Sequence, residues 1–281
     1  MYRNSVPNRQ LATWLCAALI PTLLQLAAGI GWPMAVIVAA VCTGVVSVVW
    51  KWGKAPEHRL LAGLQYLYII VLLCTLLPYS AMSWPGDNDP AVPLILLALA
   101  AWSANKGADA AARVGCVLFW LVLIIYLTVL ASGTSGIKIN WLRPGNSADP
   151  LPAVVLLLIP CITLTLRKEK KGWSPRLLLP GIFLVAAAVI TAGNLSPALA
   201  QRLPDPFYSA VRSLNILGIA QRFEAVLSAG MTVGWFSMFA VLLSSATGYA
   251  ECIKPQLGKK GLWISAGLSA LGMLCKLHIT M

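Results

Sequence analysis

Few side chains in this sequence could do chemistry, and most of those lie inside apolar runs. The stretches "CAALIPTLLQL" (16–26) and "VVLLLIPCITLTL" (154–166) share a Leu-Ile-Pro triplet, at Leu19, Ile20 and Pro21 and again at Leu158, Ile159 and Pro160. Proline lacks an N–H, and its ring clashes with the carbonyl four residues back. Pro21 is therefore expected to free the carbonyl of Ala17, and Pro160 that of Leu156. In hydrocarbon such backbone is tolerated only where it is buried in protein or lines a polar cavity. Thr22 and Gln25 flank the first proline, and Thr163 and Thr165 flank the second. Two interrupted helices would place a small molecule near the bilayer midplane, its carboxylate against free backbone donors and half-helix dipoles. Tyr66 and Thr232 complete the candidate wall. The competing reading is that neighbouring helices repair two ordinary kinks and that these residues are interhelical packing.

A second constellation is Arg222 and Glu224 at the start of "RFEAVLSAGMTVGWFSMFAVLL". Charges near a membrane helix usually face the bundle or a partner. Residues two apart point about 200° from each other on a helix, so each needs its own partner. They suggest a gate or clamp at the outer mouth, with interfacial anchoring as the rival.

Catalysis finds little support. Asp87 and Asp89 share a proline-rich loop without a nearby histidine, and His58 and His278 are not central. The seven cysteines are scattered, with no C-x-x-C and no histidine partners, so they read as small apolar fillers rather than metal ligands. No cofactor, no metal site and no enzyme activity are expected.

The elements that must position these residues are membrane helices. Of 281 residues, 59% are hydrophobic and only 11% charged, and several runs approach the length a helix needs to cross about 30 Å of hydrocarbon. Nine spans are expected, at about 11–31, 33–52, 58–82, 91–107, 112–132, 151–167, 176–194, 219–249 and 260–277, with a tenth only if the chain's end hides one. The first run is too long for a signal peptide and is expected to be retained. Polar segments rich in proline or glycine separate the spans. With the N-terminus in the cytoplasm, fifteen of the 21 Lys and Arg fall inside and five outside, with Arg222 at a boundary. The net charge of +12 is thus explained by topology rather than by a nucleic-acid partner. The whole chain reads as one polytopic membrane domain, 1–281, of two five-helix repeats: one over about 11–132, the other over about 151–277 without its last helix.

Three segments carry a family resemblance. "SANKGADAAARVGCVLFWLVLII" (103–125), with Gly107, Asp109 and Arg113, resembles the junction between spans four and five in the B subunits of GerA-type spore-germination receptors, the GerAB-type proteins. "INWLRPGNSADPLPAVVLLL" (139–158) is similar to their external segment ahead of span six. "FYSAVRSLNILGIAQRFEAV" (207–226) is similar to the region in which an arginine-x-glutamate opens span eight. The resemblance covers roughly residues 9–250. It implies the fold of the amino acid–polyamine–organocation (APC) transporter superfamily, LeuT-like inverted repeats with helices one and six broken. It further implies a germinant-receptor subunit in the spore inner membrane that binds a small molecule such as an amino acid. The partners implied are the lipid bilayer, a membrane A-type subunit and a lipoprotein C-type subunit. Two departures stand out: family members ordinarily have ten spans, and span six lacks the acidic residue expected near its cytoplasmic half. A free-standing permease and a ligand-free structural subunit remain alternatives.

Overall fold

The computed structural model describes residues 5–27, 29–56, 58–81, 90–142, 149–168, 173–195, 199–200, 203, 206–212 and 223–280; the side chains at 135, 212, 223, 224 and 276–280 stand outside that description. Among the described residues the chain is helical, with one isolated bridge between Val6 and Arg167. In chain order the helices are α1 (Asn8–Ala27), α2 (Trp32–Trp52), α3 (Arg59–Ala81), α4 (Ala91–Asn105), α5 (Ala108–Gly133), α6 (Leu151–Ile162), α7 (Leu179–Asn194), α8 (Pro206–Arg212), α9 (Phe223–Ile253) and α10 (Gly258–Thr280). A helix lies at each of the nine expected segments, and α8 is an addition that the proline-rich sequence around it concealed. Six segments are long and apolar enough to cross a membrane, those of α1, α2, α3, α5, α7 and α9. Their composition makes the chain an all-α, membrane-embedded protein.

The start and stop signals are local. Pro33 at the beginning of α2 supplies a pre-set φ where no N–H is needed, and Gly53 ends that helix. Between α4 and α5 the chain turns at Gly107, whose φ of 114° lies in the left-handed region that glycine occupies without steric penalty. Asp109 follows in the first turn of α5, where its charge complements the helix dipole.

The bundle is organised around α1. In its apolar window 89% of residues are buried, against 33% in α2 and α5 and 39% in α3, while α9 reaches 72%. α1 packs against α9, α5, α7 and α6, which makes it the axis. The outer helices turn apolar side chains outward: Ile37, Val41, Val45, Val48 and Trp52 recur every three or four residues on α2, and Val114, Val117, Leu121, Ile124 and Leu127 do so on α5. Such continuous apolar faces are solvated by lipid tails, not water. At one end of the bundle, exposed Trp52 and Trp102 sit under the ammonium groups of Lys51 and Lys106, 5.7 and 5.5 Å from the ring centroids. This is the arrangement expected of an interfacial aromatic belt.

One expectation is corrected. α1 is not broken: it runs unbroken from Asn8 to Ala27 with Pro21 inside it. The reason lies on α9, where Gly234 receives the proline ring; a Cβ there would stand 2.6 Å from Cγ of Pro21. Thr22 stabilises the same turn by donating its hydroxyl to the carbonyls of Ala18 (2.9 Å) and Leu19 (3.2 Å). The sixth helix is not interrupted at mid-span either but ends soon after its proline. α6 stops at Ile162, two residues beyond Pro160, and continues as a 3-10 turn over Leu164–Leu166.

The α1–α9 contact generates a prediction. Gly234→Val should force Pro21 and α1 away from α9 and destabilise the protein by about 1–3 kcal/mol, the usual range for overpacking. Thermal unfolding in nanodiscs measures this, and unchanged stability would show that the seam is looser than the geometry requires.

Candidate functional site

The central helix carries one strongly polar side chain deep into the bundle. Gln25, in the last turns of α1, is only 3% exposed. Its Oε1 accepts a hydrogen bond from Nε1 of Trp235 on α9 at 2.7 Å, and its Nε2 donates to the carbonyl of Tyr79 on α3 at 3.3 Å. That carbonyl belongs to the final turn of α3, where helix carbonyls have no intrahelical partner. Gln25 therefore ties three helices together and satisfies a helix end without water.

Beside it opens a cavity of about 450 Å³. Its walls come from Gln25 and Leu26 of α1, from Thr75, Tyr79 and neighbouring leucines of α3, and from Leu151, Pro152, Val155 and Leu156 of α6. Volumes of this order are typical of small-molecule sites, as is an apolar lining with few polar groups.

The break in α6 lies toward the other end of the bundle and is closed. The carbonyl of Pro160 accepts from the buried indole Nε1 of Trp50 (2.9 Å) and from the hydroxyl of Thr163 (2.8 Å). The carbonyl of Ile162 accepts from the hydroxyl of Tyr249 on α9 at 2.8 Å. Gly248 lets α9 approach this turn, since a Cβ there would lie 2.8 Å from Oγ1 of Thr165. A strap fastens the same end. Val6 N–H donates to the Leu166 carbonyl (2.7 Å), and Lys168 N–H donates to the Val6 carbonyl (2.9 Å). Arg167 covers the Trp50 ring at 5.0 Å and donates to Asn8 (3.4 Å), while Arg176 donates to the hydroxyl of Thr13.

Of the seven side chains proposed from the sequence as a binding wall, Gln25 lines the cavity. Pro21 packs on Gly234, and Thr22 bonds its own helix. Tyr66 donates to the Gly261 carbonyl at 2.7 Å, tying α3 to α10. Thr232 bonds the Ser228 carbonyl one turn earlier, and Pro160 and Thr163 belong to the closed break. Asp109 and Arg113 form an ion pair of 2.6 Å within the first turns of α5, with the arginine side chain 73% exposed. Such a pair stabilises the helix locally. Arg222 lies outside the described residues, and so does the side chain of Glu224, so the expected outer gate is not among them. Among the described residues no three His, Cys, Asp or Glu side chains could together hold a metal ion.

The sequence reading missed Trp235, the Tyr79 carbonyl, Trp50 and Tyr249. Only Gly234 and Gly248 left a signal, since fourteen residues is about four helical turns and places both on one face of α9. Comparison with known proteins finds no matching family model and no curated protein of significant similarity.

Two predictions follow from these contacts. Tyr249→Phe should leave the Ile162 carbonyl without its donor and lower stability by about 0.5–2 kcal/mol; an unchanged unfolding midpoint would mean that another group takes over. Asp109→Asn should change stability by no more than about 0.5 kcal/mol, because exposed i, i+4 pairs contribute little. A larger loss in the same assay would reveal a tertiary role for this pair.

Proposed function

We propose that this protein is the small-molecule-sensing membrane subunit of a spore nutrient-germinant receptor, built as a transporter-like bundle with nine spans and its N-terminus in the cytoplasm. The cavity beside Gln25 is the observation that carries the reading. A polar side chain of the most buried helix faces an apolar space of ligand size and also bonds to two other helices. Occupancy there can therefore be felt by α1, α3 and α9 together. The strap and the closed break at the opposite end support a bundle that admits ligand from one side only. Exposed Lys51, Lys54, Lys106, Lys168, Lys254, Lys259 and Lys260 gather at the strapped end, which supports placing that end in the cytoplasm. The three segments similar to GerAB-type proteins supply the receptor context, and with it an A-type membrane subunit and a C-type lipoprotein as partners. The nine-span count adds α4, α6 and α10 to the six qualifying segments; in α6 the following 3-10 turn lengthens the crossing.

The purified chain in nanodiscs, titrated with small molecules, tests this reading. A compound that binds only the folded protein adds RT ln(1 + [L]/Kd), about 2.7 kcal/mol at a hundredfold excess over Kd. The expected result is stabilisation by at least one compound without its uptake when the chain alone is reconstituted into liposomes. Uptake by the chain alone would identify a permease instead, and a folded protein that no compound stabilises would point to a structural subunit.

A further inference from the structure

We infer that the cavity beside Gln25 takes an uncharged small molecule, an apolar body bearing one hydrogen-bonding head, rather than a zwitterionic amino acid; the inference rests on the ligand-sensing reading above. No described residue of its wall carries a charge. A buried carboxylate or ammonium without a partner is strongly disfavoured in such surroundings.

The backbone is a poor substitute. The first turn of α6 lines the cavity, and a helix N-terminus can hold an anion only through free N–H groups. Here the N–H of Leu151 is taken by Oδ1 of Asp149 at 2.9 Å, residue 152 is proline, and the N–H of Val154 bonds the Pro150 carbonyl at 3.1 Å, which leaves the first turn only the N–H of Ala153, too little to hold a carboxylate. At the broken end of α6 the Pro160 and Ile162 carbonyls are taken by Trp50, Thr163 and Tyr249, and the Leu156 carbonyl that Pro160 frees is an acceptor, which offers nothing to a carboxylate.

What the wall does offer is modest and neutral. A primary amide has two N–H donors and two acceptor lone pairs. After its bonds to Trp235 and the Tyr79 carbonyl, Gln25 retains one N–H and one lone pair. The Thr75 hydroxyl donates to the Leu72 carbonyl at 2.8 Å and keeps its capacity to accept. An amide or alcohol head matches this set, with leucine, valine and proline side chains around the remainder of the molecule.

The test compares probes that share a carbon skeleton: 4-methylpentanamide against leucine, and 3-phenylpropanamide against phenylalanine. Binding is read by thermal stabilisation of the full chain in nanodiscs, for the unaltered protein and for Leu76→Trp, Val155→Phe and Gln25→Leu. Leu76→Trp and Val155→Phe each fill the cavity from a different helix, so one of them remains informative if the other fails to fold. The expected result is stabilisation by the amides and not by the amino acids, abolished by either filling substitution and weakened about tenfold in Gln25→Leu. Stabilisation by leucine or phenylalanine that a filling substitution abolishes would overturn the neutral-ligand inference and leave the sensing reading standing. Stabilisation by the amides that survives both filling substitutions would place their site elsewhere and overturn the inference too. A folded protein that no probe stabilises, amide, amino acid or nucleoside, would sink the inference and the sensing reading together.

Discussion

Every backbone carbonyl that this chain frees must find a donor without help from water, and that constraint orders the rest of the structure. Prolines at 21, 78 and 160 each remove an N–H from a helix, and helix ends add further unpaired carbonyls. Side-chain donors gather at these same turns: the Thr22 hydroxyl bonds the Ala18 and Leu19 carbonyls beside Pro21, Gln25 bonds the Tyr79 carbonyl at the end of α3, and Trp50, Thr163 and Tyr249 bond the Pro160 and Ile162 carbonyls at the end of α6. All five are buried polar or amphipathic residues that a purely apolar helix would not need. Their positions follow from where the backbone is interrupted.

The constraint is met differently at the two ends of the bundle. At the strapped end the 3-10 turn after α6 is covered by Val6, by Arg167 stacked on Trp50, and by α9 brought close through Gly248. At the other end a single long side chain, Gln25, reaches across to α3 and leaves a space beside it. Packing contributes to the same asymmetry. Gly234 allows intimate contact between α1 and α9 at Pro21, one turn before Gln25, so the amide is held on a fixed stem while the α3 and α6 walls stand back from it.

The helix positions were largely legible in the sequence, because the length and spacing of the apolar runs carry them almost unaided. The candidate site was legible only in part. Pro21 and Pro160 have the same local sequence and different outcomes, since the first meets a glycine on α9 and the second meets a tryptophan and a tyrosine that take over its turn's carbonyls. Those partners are far away in the chain: Trp50 stands 110 residues from Pro160, and Trp235 stands 210 from Gln25. A reading confined to local sequence identifies which turns are interrupted and cannot identify the groups that pack and bond there. The same limit misplaced Thr163, which is a donor to the broken turn rather than part of a ligand wall. Short α8 escaped notice because its seven residues are too few to show a period among prolines.

Gln25 joins the structural and functional accounts. Its amide is held by an indole on one helix and holds a carbonyl of another, so its orientation is fixed before any ligand arrives, and little side-chain entropy is left to lose on binding. A head group that takes its remaining N–H and lone pair would enter an existing network instead of building one, and hydrogen bonds in such a chain polarise one another. The effect would extend to the α3 and α9 contacts. A ligand can shift helices only by binding one arrangement better than another. At this position the difference would come from whether α3 and α9 keep their bonds to the same amide when a third partner joins them. A space lined only by leucine and valine could bind a molecule equally well, but it would have no means of passing that event to two other helices.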